Sequence, residues 1–287
     1  MGTDGHHHHE HHDHGHHAHG AHEPRRHGNG GNGDGSIPAG FEPGERVLTL
    51  RSHSGLSGDM FLAGLVCMTG LGQEELDDIL AGLMPELRGA ARLVRREVHH
   101  VGGWHAEVRL PHQHEHRTLS EVAEIIDRSA LSPEGKRRSA ACFRLLAEAE
   151  GFVHGKPAEA VHFHEVGALD SILDICLSCE LFARLAPAHF VASPLPVADG
   201  MVMCAHGVIP VPAPAVLELL PGIPVRSFAG EGETVTPTGA ALLRALDAGF
   251  GPWPPMSVER TALVYGTRVF PNVANGATFA SGVIHPH

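Results

Sequence analysis

Residues 161–174 read Val161-His-Phe-His-Glu-Val-Gly-Ala-Leu-Asp-Ser-Ile-Leu-Asp174, and an apolar run then continues to Leu185. Extended backbone at the start of this stretch would place His162 and His164 on one face. A helix from about residue 169 to 185 would be apolar almost all round, which is typical of a buried helix. The stretch therefore predicts a short extended segment that leads into a helix at the centre of the fold.

This helix would carry Asp170 and Asp174 on one face, because residues four apart are neighbours on a helix. Buried carboxylates are costly unless they are paired, hydrogen-bonded or bound to a cation. One interpretation is a divalent-ion site, with His162, His164 and Asp174 as ligands and Glu165 and Asp170 in catalytic roles. The alternative is that Asp170 caps the helix and Asp174 pairs with an arginine.

A second motif, Ser54-Gly-Leu-Ser-Gly-Asp-Met60, separates a predicted strand from a predicted helix. Small residues before a helix let backbone N–H groups approach an anion. The motif is neither a dinucleotide fingerprint nor a P-loop, because no lysine follows its glycines, and an ordinary turn is the alternative. We predict cofactor binding by Ser54, Ser57 and Gly58 and a catalytic role for Asp59.

Two further segments could contribute to a site. Thr236-Pro-Thr-Gly239 has a hydroxyl cap followed by proline, so Thr236 and Thr238 either bind phosphate or simply cap a helix. The segment Cys204–Pro214 holds His206 in a proline-rich loop, where it is either a metal ligand or a buried imidazole.

The N-terminal segment is rich in histidine, and a Gly/Asn-rich linker follows it. It cannot bury a core, so we expect it to be disordered without metal. Imidazole suits nickel, zinc, copper and iron. The interruptions by Glu, Asp, Gly and Ala favour a native metal-buffering arm, and an expression tag is the alternative. The predicted ligands of this arm are His6, His7, His8, His9, His11, His12, His14, His16, His17 and His19.

Composition excludes several classes of protein. The formal net charge of -12 argues against a nucleic-acid partner and an anionic membrane surface. We expect no membrane span, because no run of 18 apolar residues occurs, and no signal peptide. The 5 cysteines lack a framework spacing, which favours a reducing cytoplasm. Cys176 and Cys179, spaced Cys-x-x-Cys on the apolar helix, are expected to be buried and structural.

Apolar periodicity predicts a mixed fold. We expect further helices at 74–83, after Thr118, after Ser132, and at 215–220 and 237–246, and a hairpin of strands 92–98 and 105–110 joined at Gly102-Gly103. The proline-rich residues 194–214 are expected to be irregular and the last 35 residues to form weak strands. This pattern favours an α+β (mixed α/β) fold over residues 37–287, in one large or two closely packed subdomains, after an arm of residues 1–36.

Taken in order, the motifs resemble those of the LarC-type nickel insertion family. The matching segments are Ser54–Met60, His162–Ile172, Ser193–Pro196, Cys204–Pro214 and Thr236–Ala241, and the resemblance covers about residues 47–271. It implies a nickel chelatase, a lyase that inserts Ni²⁺ into a pyridinium mononucleotide bearing two thiocarboxylates. The product is the nickel-pincer cofactor of lactate racemase-type enzymes.

The resemblance also implies a CTP requirement, a nickel-pincer-dependent enzyme as partner, and a homo-oligomer. The domain associated with CTP use is not recognisable in these 287 residues, so we expect it in a separate C-terminal domain protein. Arg51 stands where the family usually has Asp, and residues 263–269 keep only fragments of a glycine-rich family motif. These departures leave a non-catalytic nickel store or metallochaperone as the alternative.

Overall fold

The central strand of the largest sheet comes from the C-terminal part of the chain. The computed structural model describes residues 40–110, 117–163, 168–204, 207–271 and 273–285. Its compact unit is Gly35–His287, and the predicted arm lies outside the described residues. Among the described helices, none combines the length and apolar composition that crossing a lipid bilayer requires.

Helices and strands alternate along the described chain. The α-helices are α1 (Gly58–Thr69), α2 (Gln73–Leu83), α3 (Leu119–Arg128), α4 (Pro133–His154), α5 (Leu169–Leu185), α6 (Pro214–Leu219) and α7 (Pro237–Ala245). The strands are β1 (Arg46–Ser52), β2 (Ala91–Val98), β3 (Val101–Val108), β4 (Arg117–Thr118), β5 (His162–Phe163), β6 (His189–Ala192), β7 (Leu195–Val197), β8 (Gly200–Cys204), β9 (Gly207–Val211), β10 (Val225–Ser227), β11 (Gly249–Phe250), β12 (Met256–Val264) and β13 (Ala277–Ile284). The mixed α/β prediction is confirmed.

Seven of the described strands form one mixed sheet in the order β11-β6-β1-β13-β12-β3-β2. β1 runs parallel to β6 and antiparallel to β13, and β12 is antiparallel to β13 and parallel to β3. The carboxyl ends of β1, β6, β12 and β3 therefore meet at one edge of the sheet. The turns that follow these strands can build a site there.

The hydrophobic core lies between this sheet and the helices. On α1, Phe61 packs against Phe279 of β13 and Phe190 of β6, with ring centroids 5.9 and 6.3 Å apart. Phe182 of α5 also reaches Phe190, at 5.5 Å. Leu173 of α5 is fully buried, like most of its neighbours on the helix. The prediction that 169–185 is a buried helix is confirmed, and this helix fixes the position of its two aspartates.

Caps inferred from the sequence are present. The Thr118 hydroxyl accepts a hydrogen bond from the amide of Glu121, whose carboxylate in turn accepts one from the Thr118 amide at 2.7 Å. Ser132 caps α4 by accepting from the Gly135 amide at 3.0 Å. Such local signals depend on few residues, so the sequence alone suffices to predict them.

Two local predictions are wrong, and a third, the strands of the last 35 residues, is confirmed. The β2–β3 turn lies at His99-His100, whose φ angles are 50° and 64°, and not at Gly102-Gly103. Gly103 belongs to β3, where it pairs with Arg96, and a Cβ there would lie 2.6 Å from the Tyr265 ring. Residues 194–214 hold three strands rather than an irregular segment, since their prolines fit two-stranded pairs with open edges. The expected weak C-terminal strands include β13, which lies inside the main sheet.

We predict that Gly64→Ala lowers the free energy of unfolding by about 1–3 kcal/mol, because overpacking outweighs the gain in helix propensity. A Cβ at Gly64 would overlap the ring of Phe279. Gly102→Ala is the control, since no atom lies within 4 Å of its Cβ position. Urea unfolding followed by circular dichroism measures both; equal stabilities would contradict the packing of α1 on β13.

Candidate functional site

A cavity of about 890 Å³ opens at the edge of the sheet where β1, β12 and β3 end. Its lining comes from the turn after β1, the turn after β12, the end of β3, and the first turns of α5 and α7. Ligands of open α/β sheets bind at this edge of the strands. The motifs that stand far apart in the sequence therefore share one cavity.

Glycines allow these motifs to meet. A Cβ on Gly58 would lie 2.9 Å from both the Asp174 Oδ2 atom and the Thr238 methyl carbon. A Cβ on Gly239 would lie 2.6 Å from the carbonyl oxygen of Leu56, which also accepts a 3.0 Å hydrogen bond from the Thr236 amide. The N-termini of α1 and α7 and the first turns of α5 are therefore packed too closely to admit a side chain at Gly58 or Gly239.

Asp59 is held by hydrogen bonds on both oxygens. Its Oδ1 accepts from the Ser57 hydroxyl and from the Met60 amide at 2.9 Å. Its Oδ2 accepts from the Thr267 amide and hydroxyl, at 2.8 and 3.0 Å. Asp59 therefore ties the turn after β12 to the start of α1. Its predicted catalytic role stays a prediction.

Asp174 differs from Asp59, because its Oδ1 is sealed from solvent and no hydrogen-bond partner reaches it among the described residues. Burial raises its pKa well above the usual value, and the charges of Asp59 and Asp170 raise it further. No arginine pairs with Asp174 in the described part of the chain, which disfavours the alternative of an ion pair. The carboxyl lines the cavity, and its ionised form would be stabilised there by a bound cation or neutralised by a proton.

Asp170 lies one helical turn before Asp174 and lines the same cavity, but it is exposed. Its Oδ1 accepts a 2.8 Å hydrogen bond from the Ser171 amide, so it also satisfies part of the N-terminus of α5. The predicted shared face of Asp170 and Asp174 is confirmed. Asp170 is not the N-cap of α5, because that position is Ala168 and carries no side-chain cap.

The other predicted site residues divide into three groups. Ser57, Gly58, Thr236 and Thr238 line the cavity, whereas Ser54 is buried outside the lining. His162 is exposed on β5 and does not line the cavity. His164, Glu165, His206 and the arm histidines His6, His7, His8, His9, His11, His12, His14, His16, His17 and His19 lie outside the described residues. Within the described ranges, no three His, Cys, Asp or Glu side chains are grouped closely enough to hold a metal ion.

The structure adds lining residues that our sequence reasoning missed. The Nδ1 atom of His105 lies 2.9 Å from the carbonyl oxygen of Tyr265, which fixes that nitrogen as the donor and leaves Nε2 as an acceptor. Thr267 and Arg268 also line the cavity. The fragment Tyr265-Gly-Thr-Arg268 of the glycine-rich family motif is the sequence signal that could have identified Thr267 and Arg268 as site residues.

Arg51 does not place a cation in the cavity. Its guanidinium donates to the carbonyl oxygens of Gly251 and Pro252, at 2.6 and 2.7 Å, and lies over the Trp253 ring at 5.3 Å. Burial lowers its pKa. Arg51 therefore contacts the chain after β11 and does not line the cavity.

Comparison with known proteins agrees with this arrangement. The family model described as nickel insertion protein matches residues 48–281, which include every motif around the cavity. The chain belongs to the nickel insertion protein family. No solved structure matches it.

Relatives within the nickel insertion family are similar over most of this chain. It is 45% identical over 223 residues to a protein of Citrifermentans bemidjiense that has a provisional nickel-insertion name. It is 44% identical over 221 residues, or 77% of its length, to the pyridinium-3,5-bisthiocarboxylic acid mononucleotide nickel insertion protein of Desulfitobacterium hafniense. The protein of that name from Geobacillus kaustophilus is 37% identical over 245 residues, or 80% of this chain. The alignments cover 57%, 54% and 58% of these relatives, so the chain spans little more than half their length.

We predict that Asp174→Asn raises the free energy of unfolding at neutral pH, because an amide removes the cost of a buried charge. The folded pKa of Asp174 is raised, so wild-type protein pays no penalty below the unfolded pKa and an increasing one as pH rises towards the folded pKa. The stability advantage of the variant should therefore grow with pH. Thermal unfolding measured from about one pH unit below the ordinary Asp pKa of about 3.9 up to neutrality tests this.

Asp127→Asn is the matched control, because Asp127 is exposed on α3 and does not line the cavity. It should show no such pH dependence. An advantage of Asp174→Asn that is constant across the range would contradict the raised pKa.

Proposed function

We propose that this chain holds Ni²⁺ in the cavity at the end of β1 and inserts it into a pyridinium bisthiocarboxylate mononucleotide. Two relatives are named for that substrate, and the cavity is large enough for a mononucleotide, since ligand pockets usually measure about 300–1,000 Å³. The product would be the nickel-pincer cofactor of lactate racemase-type enzymes. Nickel is the cargo of this reaction.

One observation supports the proposal above all: Asp174 presents a carboxyl with a sealed, unpartnered oxygen in a cavity that Asp59 and Asp170 also line. A carboxyl in this position is stabilised by taking a cation. Divalent nickel binds carboxylate oxygen and imidazole nitrogen, and it can exchange these ligands for others. Asp174 and Asp170 would supply oxygen, and the Nε2 atom of His105 is one nitrogen available within the described lining.

The loose grouping of these side chains suits a transfer site. No tight three-ligand cluster exists among the described residues, so nickel held there would keep positions open for the sulfur and carbon atoms of the substrate. Soft sulfur then competes with hard carboxylate oxygen for the ion. We assign Asp170 and Asp174 to nickel, and Asp59, with Ser57 and Thr267, to the shape of the cavity.

Asp174→Ala should reduce metallation of the pyridinium bisthiocarboxylate mononucleotide by more than about 100-fold, since groups that merely support a ligand already contribute about 10- to 100-fold. The assay follows the absorbance of the nickel-carbon product with Ni²⁺ and CTP, with and without a separate protein that carries the part of the relatives outside the alignment. Asp127→Asn should metallate as the wild type does. Normal metallation by a folded Asp174→Ala protein would refute the assignment.

His162 and His164 provide a second test of the same site. His162 is exposed and outside the cavity lining, so His162→Ala alone should keep most of the activity, whereas the earlier interpretation of the sequence makes the His162→Ala/His164→Ala pair inactive. The difference between the single and double variants measures what residue 164 contributes. A large loss from His162→Ala alone would mean that the site extends to β5.

The alternative function is storage or delivery of nickel without catalysis, which the histidine-rich arm favours. Arg51 no longer supports this alternative, because its side chain is engaged beyond β11. The free thiols Cys67, Cys142, Cys176 and Cys179 are consistent with a reducing cytoplasm in either case. Burial raises the pKa of Cys179 to about 12, which makes thiolate ligation of nickel there unfavourable.

Deleting residues 1–35 should lower the number of Ni²⁺ bound per chain and leave one site that depends on Asp174. Equilibrium dialysis with elemental analysis measures the stoichiometry in the full chain, the deletion and the deletion with Asp174→Asn. Equal stoichiometry in the full chain and the deletion would contradict a buffering arm. Nickel bound only by the arm, with no metallation under any condition, would favour storage.

A further inference from the structure

The cavity has a strongly unequal balance of charge. Its carboxylates are Asp59, Glu107, Glu150, Asp170, Asp174 and Glu233, while Arg268 is the only arginine or lysine in the described lining. The substrate named for the relatives carries a phosphate and two acidic groups on its ring. An anionic ligand would therefore enter a cavity that repels it.

Some of these charges are already compensated. Glu107 pairs with Arg92 at 2.6 Å and Arg109 at 2.8 Å, and these bonds lower its pKa. Glu150 lies 3.3 Å from the imidazole of His154, which balances its charge only when that imidazole is protonated. Glu107 needs no ligand cation. The uncompensated charge is concentrated elsewhere in the cavity.

The three aspartates are the uncompensated group. Asp59 and Asp170 accept only from hydroxyl and amide donors, and Asp174 has one oxygen with no partner in the described part of the chain. No lysine or arginine nitrogen in the described ranges lies within ion-pair distance of any of the three. Coulomb repulsion between such groups is strong when they share a partly desolvated cavity.

The groups that could attract an anion are partly occupied. Asp59 and Asp170 take amide hydrogen bonds in the first turns of α1 and α5, from Met60 and Ser171. The Thr236 hydroxyl takes the Gly239 amide at the start of α7. A helix N-terminus attracts anions through these same amides. At each of the three helices, one such amide is already hydrogen-bonded to a nearby side chain of the same helix start.

Arg268 is engaged as well. Its two terminal nitrogens donate to the carbonyl oxygens of Glu233 and Glu231, at 3.3 and 3.0 Å, and its guanidinium lies over the Phe270 ring at 5.1 Å. These contacts hold the loop 231–233 at the side of the cavity. One exposed and tethered arginine does not balance three aspartates.

We propose that a divalent cation must occupy the aspartate end of the cavity before the anionic pyridinium mononucleotide can bind there with useful affinity. This inference rests on the proposed function and adds an order to it, with metal first and nucleotide second. The bound cation offsets most of the negative charge of the three aspartates and bridges them to the acidic groups of the ligand. Because coupling between ligands is reciprocal, the nucleotide must tighten cation binding by the same factor.

The test measures nucleotide affinity in the full chain, so that nickel on the arm is not itself the signal. Nicotinate mononucleotide, a pyridinium nucleotide with one phosphate and one carboxylate, is titrated calorimetrically into protein freed of metal and into protein saturated with Ni²⁺. We expect at least about tenfold tighter binding with nickel, within the 5- to 150-fold range typical of coupled ligands. Equal affinities in the two states would overturn the order of binding while leaving the proposed insertion intact.

Charge-removing variants locate the coupling. Asp174→Asn should gain less from nickel than the wild type does, because it loses a carboxyl that would hold the cation, and Asp127→Asn should behave as the wild type does. Asp170→Asn repeats the test at an exposed position that the fold does not depend on. An undiminished nickel effect in both cavity variants would assign the coupling to nickel on the arm and overturn the inference. Failure of the nucleotide to bind in any state would sink the proposed function itself.

Discussion

Close contact between three helix starts at one edge of the sheet is the constraint on which the site depends. Gly58 fits between Asp174 and Thr238 only because it has no side chain, and Gly239 lies against the carbonyl of Leu56 for the same reason. This packing brings the first turns of α1, α5 and α7 together over the ends of β1 and β12. The aspartates of α1 and α5 share a cavity as a consequence of this packing.

That arrangement stores an electrostatic cost in the apo protein. Four hydrogen-bond donors stabilise the Asp59 carboxylate, and one amide and exposure to solvent stabilise that of Asp170. Asp174 meets it by a raised pKa, since burial and its two acidic neighbours disfavour the charged form. Sites that shift a pKa in this way are frequent where chemistry or ion binding takes place. A divalent cation would relieve the cost in all three residues together.

Much of this was predictable from the chain because the decisive signals are local. The boundaries of α5, the caps at Thr118 and Ser132 and the shared face of Asp170 and Asp174 follow from periodicity and cap chemistry. The contributions of β12 and the turn at Thr267 did not follow, because their pairing with β3 and Asp59 joins residues more than 150 positions apart. His105 was missed for the same reason: its partner, the Tyr265 carbonyl, is supplied by a distant strand.

The central claim is that Asp170 and Asp174, one turn apart at the start of α5, converge on one divalent cation. Anomalous diffraction at the nickel absorption edge, from crystals of the full chain grown with Ni²⁺, tests it most directly. The account predicts an anomalous peak within coordination distance of the Asp174 carboxylate, inside the cavity at the end of β1. Nickel found only on histidines outside the cavity, with Asp174 still unpartnered, would contradict it.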